Sequence, residues 1–162
     1  MNRVGMIVDI AHANDATIEE VLTLTTRPVL STHGGAFACS PHTRCSTDEQ
    51  IRGIAATGGL LSIAFYEKFV AKAPERAATV MGIVDHIEHV ASIAGIDHVG
   101  IGSDFDGLPQ GVWPILRTAD QLPLLTEAML QRGLSDADIQ KVWGGNYLRV
   151  MRATWGSKQV AE

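Results

Sequence analysis

The fold of this chain is decided by residues 99–107, which read VGIGSDFDG. The first half of this stretch is a short apolar run with two glycines, a pattern typical of a buried strand that another backbone approaches closely. The second half ends abruptly in two aspartates, Asp104 and Asp106. A carboxylate at the end of a buried strand is costly unless a partner compensates its charge, and metal ions and catalytic water are common partners. The alternative is that these aspartates only cap the following turn, since Asp and Gly favour turns.

Composition and charge narrow the function classes. The chain has 162 residues, 46% of them hydrophobic and 19% charged, which predicts one globular unit with a core and argues against disorder. The net charge is −5 and the basic residues form no stripe, so nucleic acid is not the expected partner. No apolar run approaches the roughly 20 residues of a membrane span, and residues 1–9 lack the pattern of a signal peptide. We therefore expect a cytoplasmic protein in which Cys39 and Cys45 are reduced.

Short apolar strands alternate with amphipathic helices along the chain. The strands are expected at 4–11, 29–32, 60–65 and 98–103, and the helices at 15–25, 47–56, 78–94, 120–132, 136–143 and 146–154. The order β-α-β-α-β-α-β-α predicts parallel strands joined by right-handed crossovers. Such strands form either an open doubly wound sheet or a (β/α) barrel, and in both cases ligands bind at the carboxyl ends of the strands.

Local signals mark where the helices begin. Asp15 is a candidate N-cap of the first helix, and Thr47 with Gln50 forms a capping-box pattern. A polar, alanine-rich connection around residues 72–76 leads to the long helix at 78–94, whose apolar residues repeat at the spacing of one buried face. His86 and His89 fall opposite that face and are expected to be solvated.

Two histidines and an aspartate follow strands of this predicted sheet. His12 and His33 come after the first two strands, and Asp104 comes after the last one. Because the carboxyl ends of parallel strands share one rim, we expect the three side chains to lie close together. Imidazole and carboxylate are ligands for zinc and similar ions, and a hydrolytic metal site also needs a base nearby. The sequence therefore predicts a metal site at this rim.

Five segments in a fixed order resemble the C-terminal half of the membrane dipeptidase (renal dipeptidase) family, zinc hydrolases with a (β/α)₈ TIM-like barrel. They cover nearly the whole chain, and the two histidines keep the family's separation. The segments are GMIVDIAH at 5–12, PVLSTH at 28–33, TDEQI at 47–51, GIDHVGIGSDFDG at 95–107 and GGNYLRV at 144–150.

The resemblance implies a role for four residues. By position, His12 and His33 resemble the two histidines that hold one zinc of a binuclear centre. Arg44 falls where the family has an arginine that binds the carboxylate of the substrate, and Asp104 matches an aspartate that handles protons. The implied activity is hydrolysis of dipeptides by a zinc-dependent metallopeptidase. The chain departs from the family pattern at Gly34–Gly35 and at Cys45, which concerns the geometry of the loop more than the ligands.

The chain contains four βα units, against eight in a barrel of about 250 residues. We therefore interpret residues 1–162 as a single partial domain, half of a metallo-dipeptidase barrel. The family's other half, with its His-x-Asp pair and bridging glutamate, has no counterpart here, so we expect a truncated gene, a fragment or a misplaced start. Four strands cut from a barrel leave two open edges, which predicts a homodimer, aggregation, or association with the missing N-terminal half.

Two other functions stay open at this point. One is a non-catalytic half-barrel remnant that binds at most one metal ion loosely. The other is a small open α/β domain that binds a carboxylate ligand through Arg44 without any metal.

Overall fold

The computed structural model describes residues 1–71 and 78–155, so the predicted connection around residues 72–76 lies outside the described residues. The strands are β1 Val8–Asp9, β2 Val29–Ala36, β3 Cys45–Ser46, β4 Leu60–Ile63 and β5 Val99–Ile101. The helices are α1 Asp15–Leu24, α2 Asp48–Ala56, α3 Glu67–Val70, α4 Val80–Ala94, α5 Leu122–Gln131, α6 Asp136–Gln140 and α7 Asn146–Trp155. Short 3-10 turns cover Asn2–Val4, Ile96–His98 and Ala119–Gln121, and a π-helical turn at Lys141–Gly145 joins α6 to α7.

The described strands form a parallel sheet in the order β1-β2-β4-β5, with β3 beside the carboxyl half of β2. Asp9 lies opposite Leu30 across the first pair, and Leu61 lies opposite Val99 across the last pair. This arrangement confirms the predicted parallel βα alternation. It also places β1 and β5 at the two edges of the sheet.

All four predicted strands differ in length from the prediction. β4 ends two residues earlier and β5 is shorter at both ends, but β1 and β2 differ the most. β1 is shorter because Gly5 takes a left-handed conformation with φ 71° and closes the turn at Asn2–Val4 before the strand begins. β2 is longer because β3 pairs with Gly35 and Ala36 and continues the ladder. His33 therefore lies inside β2 and not after its end.

The helix starts follow the capping pattern with one correction. The Thr47 hydroxyl accepts from the backbone N–H of Gln50, and the Gln50 side chain accepts from the N–H of Thr47, so the predicted capping box is confirmed. The N-cap of α1 is Asn14, and the prediction of Asp15 is wrong. The Asp15 carboxylate instead accepts a hydrogen bond from the side-chain amide of Gln50 and so ties α1 to α2.

One face of the sheet packs against α4 and the following helices. Leu61, Ile63 and Val99 project from β4 and β5 into a buried cluster with Ile83 and Ile87. Since side chains alternate across a strand, Leu60 and Ser62 face the other way. The side chains of the buried cluster are almost fully shielded from water: Leu61, Ile63, Val99, Ile83 and Ile87.

The opposite face is covered in part by α7. Val150 packs in a buried cluster with Leu30 and Leu60, and the Tyr147 ring lies beside Gly100, where a Cβ atom would come within 3.1 Å of its Cε2. A side chain at position 100 would therefore crowd the ring, which would have to shift by a few tenths of an ångström. The C-terminal helix thus supplies part of the packing that this face of an open sheet would otherwise lack.

The expectation that His86 is solvated is wrong. His86 is fully buried, and its Nδ1 accepts a hydrogen bond of 2.9 Å from the backbone N–H of Ala36. The irregular continuation of β2 leaves this N–H without a strand partner, and the imidazole satisfies it. In the part of the chain that the structure describes, no helix is long and apolar enough to cross a membrane.

Candidate metal and substrate site

His12 and His33 meet at the carboxyl rim, as predicted. The Nε2 atoms of the two rings lie 2.9 Å apart, and the ring centroids are 4.9 Å apart. His12 follows β1 with a left-handed backbone, φ 69°, which turns its side chain back toward β2. The two histidines come from neighbouring strands, so the sheet register brings them together.

Arg44 joins this pair from the loop before β3. Its Nη1 lies 3.0 Å from Nδ1 of His12, and its Nη2 lies 3.5 Å from the carbonyl oxygen of His33. The guanidinium also stacks over the Phe69 ring, 5.4 Å from the centroid. Gly34 makes the approach possible, because a Cβ there would come within 2.9 Å of the Arg44 carbonyl oxygen. The glycine that departs from the family pattern is thus required by the packing of this loop.

Asp9 and Thr32 form hydrogen bonds that lead to the second ring nitrogen of His33. The Thr32 hydroxyl donates a hydrogen bond of 2.7 Å to Oδ2 of Asp9, and the same hydroxyl lies 3.0 Å from Nδ1 of His33. Oδ1 of Asp9 accepts from the backbone N–H groups of Ala11 and Thr32. The carboxylate therefore links the end of β1 to the segment of β2 that carries His33.

The network assigns the tautomers of both histidines. Thr32 has one hydroxyl hydrogen and donates it to Asp9, so Nδ1 of His33 must donate to Thr32 and Nε2 of neutral His33 carries a lone pair. Arg44 has only donors, so Nδ1 of His12 accepts and Nε2 of His12 carries the proton. The hydrogen bonds then run in one direction from Arg44 through both imidazoles to Asp9.

The local charges favour neutral imidazole at His12. Partial desolvation is the largest cause that lowers the pKa of His12, followed by the positive charge of Arg44 and by His33. Asp104 and Asp9 act in the opposite direction and raise it. The negative charge of Asp104 is thus one of the charges that act on His12. Asp104 itself adopts a left-handed backbone, φ 59°, in the tight turn that Gly107 closes.

The donor set fits part of a zinc site. Two imidazole nitrogens on one tetrahedral zinc ion each lie about 2.0–2.1 Å from it, which sets them about 3.3 Å apart. The 2.9 Å between the Nε2 atoms is the length of a hydrogen bond, so a shared ion requires His12 to carry its proton on Nδ1 and the two rings to separate slightly. No group of three His, Cys, Asp or Glu side chains within residues 1–71 and 78–155 is placed to hold a metal ion. The Cys45 thiol is directed elsewhere: it donates to the Phe69 carbonyl oxygen, 3.6 Å away, and burial raises its pKa to about 12.

Sequence reasoning identified His12, His33, Arg44 and Asp104, but not the supporting residues. Thr32 directly precedes His33, and Asp9 stands three residues before His12. An acid so close to a histidine at a strand end was the only sequence signal for a supporting role of Asp9. The interaction of Asp9 with Thr32 depends on the pairing of Asp9 with Leu30, which the sequence does not reveal.

Comparison with known proteins shows a family. The profile described as "Membrane dipeptidase (Peptidase family M19)" matches residues 1–161. Dipeptidase tcpJ of Claviceps purpurea (strain 20.1) is 40% identical over 152 residues, which cover 94% of this chain and 35% of the relative. The chain thus spans about a third of the length of this curated relative.

Solved structures agree with the predicted fold. A metallo peptidase from Rhodobacter sphaeroides, "liganded with phosphinate mimic of dipeptide L-Ala-D-Ala", superposes with a TM-score of 0.85 at 32% identity over 95% of this chain and 44% of that one. The metallo peptidase called dipeptidase AC gives a TM-score of 0.86 at 31% identity over 96% of this chain and 46% of that one. The interpretation as about half of a TIM-like barrel is confirmed by this partial coverage. With the profile match over nearly all its residues, the chain belongs to the membrane dipeptidase family.

Proposed function

We propose that this chain provides His12, His33, Arg44 and Asp104 to the active site of a zinc-dependent dipeptidase. The observation that carries the proposal is the 2.9 Å approach of the two Nε2 atoms at the carboxyl rim of a parallel sheet. Two imidazole nitrogens directed at one position are a common zinc-binding arrangement once the proton of His12 moves from Nε2 to Nδ1. Membership of a dipeptidase family supports the reaction class.

Each residue has a distinct task in this proposal. His12 and His33 hold the metal, which when bound would polarise the scissile carbonyl and acidify water. Arg44 presents a planar guanidinium that can grip the free carboxylate of a dipeptide with two parallel hydrogen bonds. Asp104 would accept the proton released during hydrolysis. It follows β5 at the carboxyl end of the sheet, and its charge is one of those that raise the pKa of His12.

The substrate class follows from Arg44 and from one relative. A guanidinium at the rim selects a substrate with a free carboxylate close to the scissile bond. The Rhodobacter sphaeroides peptidase was solved with a mimic of L-Ala-D-Ala. We therefore take the dipeptide L-Ala-D-Ala as the first substrate to test.

A specific observation also favours a second candidate, a non-catalytic domain that binds one metal ion loosely. The described residues bring together two metal ligands and no group of three. A complete centre then needs ligands from outside these residues, supplied by solvent, a second copy of the chain or another polypeptide. Zinc binding is common to both candidates, and turnover separates them.

Calorimetric titration of the purified chain with zinc tests the shared element. We expect weak binding that His12→Ala and His33→Ala each abolish. His89→Ala is the matched control, because His89 is bonded to Asp48 on α2 and takes no part in the pair. If both rim variants bind zinc like the parent, the assignment is wrong, and a carboxylate-binding domain without metal becomes the better reading.

A further inference from the structure

Asp9 divides its hydrogen bonds between two tasks. Oδ1 accepts from the backbone N–H of Ala11 at 3.0 Å and of Thr32 at 3.2 Å, which fastens the end of β1 to β2. Oδ2 accepts only from the Thr32 hydroxyl among the hydrogen bonds of the described residues, at 2.7 Å. Oδ1 thus holds the two strands together, and Oδ2 accepts from the hydroxyl that contacts His33.

The Thr32 hydroxyl transmits this contact to His33. Because its single hydrogen points at Asp9, its oxygen is left to accept from Nδ1 of His33, 3.0 Å away. With the proton on Nδ1, the lone pair of His33 lies on Nε2, the atom that faces His12. Reversing the hydroxyl would make it a donor to Nδ1 and place the proton of neutral His33 on Nε2 instead.

We propose that Asp9 is a positioning residue: through Thr32 it holds His33 in the Nδ1–H tautomer, so that Nε2 is kept available to a metal ion. The proposal rests on the proposed function, because a metal on Nε2 is what gives the tautomer its value. It goes beyond that function by adding two residues, neither of which touches metal or substrate. In metal sites generally, a ligand histidine donates its second ring N–H to an acceptor, which fixes its tautomer and orientation. Here a hydroxyl stands between the imidazole and the carboxylate.

Asp9→Asn separates the positioning role from the structural one. Asparagine can keep a carbonyl oxygen toward the N–H groups of Ala11 and Thr32, so the link between the strands is retained. Its NH₂ group then faces the Thr32 hydroxyl as a donor, and Thr32 can no longer donate in that direction. The variant thus reverses the hydrogen bond between Thr32 and residue 9 and keeps the positions of the side chains.

Two substitutions of Thr32, whose hydroxyl lies between Asp9 and His33, test the same hydrogen bonds. Thr32→Val has nearly the same shape and lacks the hydroxyl, whereas Thr32→Ser keeps the hydroxyl. Asp120→Asn changes the same charge at an exposed position of the 3-10 turn Ala119–Gln121 and serves as the control.

The tautomer of His33 is read from the ¹⁵N shifts of its ring in the metal-free chain, and zinc affinity is read by calorimetry. We expect Asp9→Asn and Thr32→Val to lose the Nδ1–H tautomer and to weaken zinc binding about 10- to 100-fold. Thr32→Ser and Asp120→Asn should match the parent in both measurements. Thermal melts show that each variant is folded before it is compared.

Two results would overturn the proposal. One is an unchanged ring tautomer in folded Asp9→Asn and Thr32→Val. The other is a changed tautomer with parent-like zinc affinity, because the tautomer would then have no bearing on the metal. A parent chain that binds no zinc would instead refute the proposed function, and the ring shifts would still decide whether Asp9 sets the tautomer.

Discussion

Arg44 donates a hydrogen bond to Nδ1 of His12 across 3.0 Å, so the predicted substrate-binding group is engaged by a predicted metal ligand. Zinc on Nε2 of His12 requires the proton of the neutral ring to sit on Nδ1, and an N–H there cannot accept from a guanidinium. The two roles therefore cannot both be filled with Arg44 in its present position. Metal binding at His12 should release the Arg44 side chain toward substrate.

The first prediction is that zinc makes Arg44 more reactive. Phenylglyoxal should modify Arg44 faster in the zinc-loaded chain, as measured by mass spectrometry of its peptides. Arg149 is an internal control, because its guanidinium binds backbone carbonyls of Gly58 and Asp97 far from the histidine pair. An unchanged rate at Arg44 under saturating zinc would show that the contact survives metal binding, and that His12 is then not a ligand through Nε2.

The second prediction concerns turnover. The two proposed imidazole ligands, without a third protein ligand among the described residues, would leave the coordination of zinc incomplete. We therefore expect the purified 162-residue chain to hydrolyse L-Ala-D-Ala negligibly at any zinc concentration, while addition of an N-terminal half from a family member restores measurable hydrolysis. Release of D-alanine in a coupled assay measures both. Fast zinc-dependent hydrolysis by the chain alone would refute the incomplete-centre argument.

The third prediction is a loss of stability in mild acid caused by His86. Burial is the largest cause that lowers the pKa of this imidazole, to about 4, whereas the Val70 backbone and Asp85 raise it and His89 lowers it further. Between pH 6.5 and about 4 the unfolded chain binds more protons at this site than the folded chain does. Its contribution is therefore fully present above pH 6.5 and falls as the pH drops toward 4, by on the order of 3 kcal/mol.

Urea unfolding at a series of pH values measures this effect. His86→Gln keeps an acceptor for the N–H of Ala36 and removes the titrating ring, so the difference between parent and variant should shrink or reverse as the pH falls from 6.5 to 4. Carboxylates other than Asp85, whose charge acts on His86, contribute about equally to both proteins and cancel in this difference. A difference that does not vary with pH would mean that His86 is protonated without cost in the fold.

The fourth prediction concerns the GGNYLRV motif, which the structure uses for packing. Tyr147 shares a hydrogen bond with the buried Ser62 hydroxyl, and its OH lies 3.4 Å from the carbonyl oxygen of Thr32. Tyr147→Phe should lower the free energy of unfolding by about 1–3 kcal/mol, because Ser62 is left without this partner inside the protein. The double variant with Ser62→Ala should lose less than the sum of the two single losses. Tyr66→Phe, at a ring that packs on Phe69, provides the control, and additive losses at 62 and 147 would contradict the coupling.

The shared rim could be predicted from the sequence because it depends on the order of the elements. Parallel strands place their carboxyl ends together, so His12 and His33 were expected at one rim, whereas their direct contact also needs the register of β1 on β2 and the positive φ of His12. The Thr47 capping box was also predictable, since its two partners are three residues apart. Both inferences use only local sequence or the order of the elements.

The supporting contacts were not predictable, because each depends on register or on long-range packing. Asp9 reaches Thr32 only because β1 pairs with β2 in one particular register. His86 was expected in solvent since a stripe of apolar residues marked the other side of α4, yet an unpaired N–H of Ala36 draws the imidazole into the core. The extension of β2 that creates this N–H depends on β3, a two-residue strand with no detectable pattern.

The last prediction concerns self-association through the sheet edges. The edge strands β1 and β5 expose backbone groups that can pair with another chain. α7 covers part of one sheet face, through Tyr147 and Val150, and α4 packs on the other face, so the edges are the parts of the sheet that this prediction tests.

The β1 edge carries the larger apolar exposure of the two. Val4 and Met6, just before β1, are 50% and 55% exposed. We therefore expect the purified chain to form dimers or larger aggregates, and Val4→Lys combined with Met6→Lys to shift it toward monomer, because lysines at an edge oppose pairing. Leu124→Lys combined with Leu130→Lys is the matched control, since these leucines are 49% and 50% exposed on α5, a helix outside the sheet. Light scattering on freshly purified protein measures the mass of each variant. A monodisperse parent monomer with a cooperative melt would contradict association, and equal effects of the edge and control lysines would show that general solubility, and not the β1 edge, governs it.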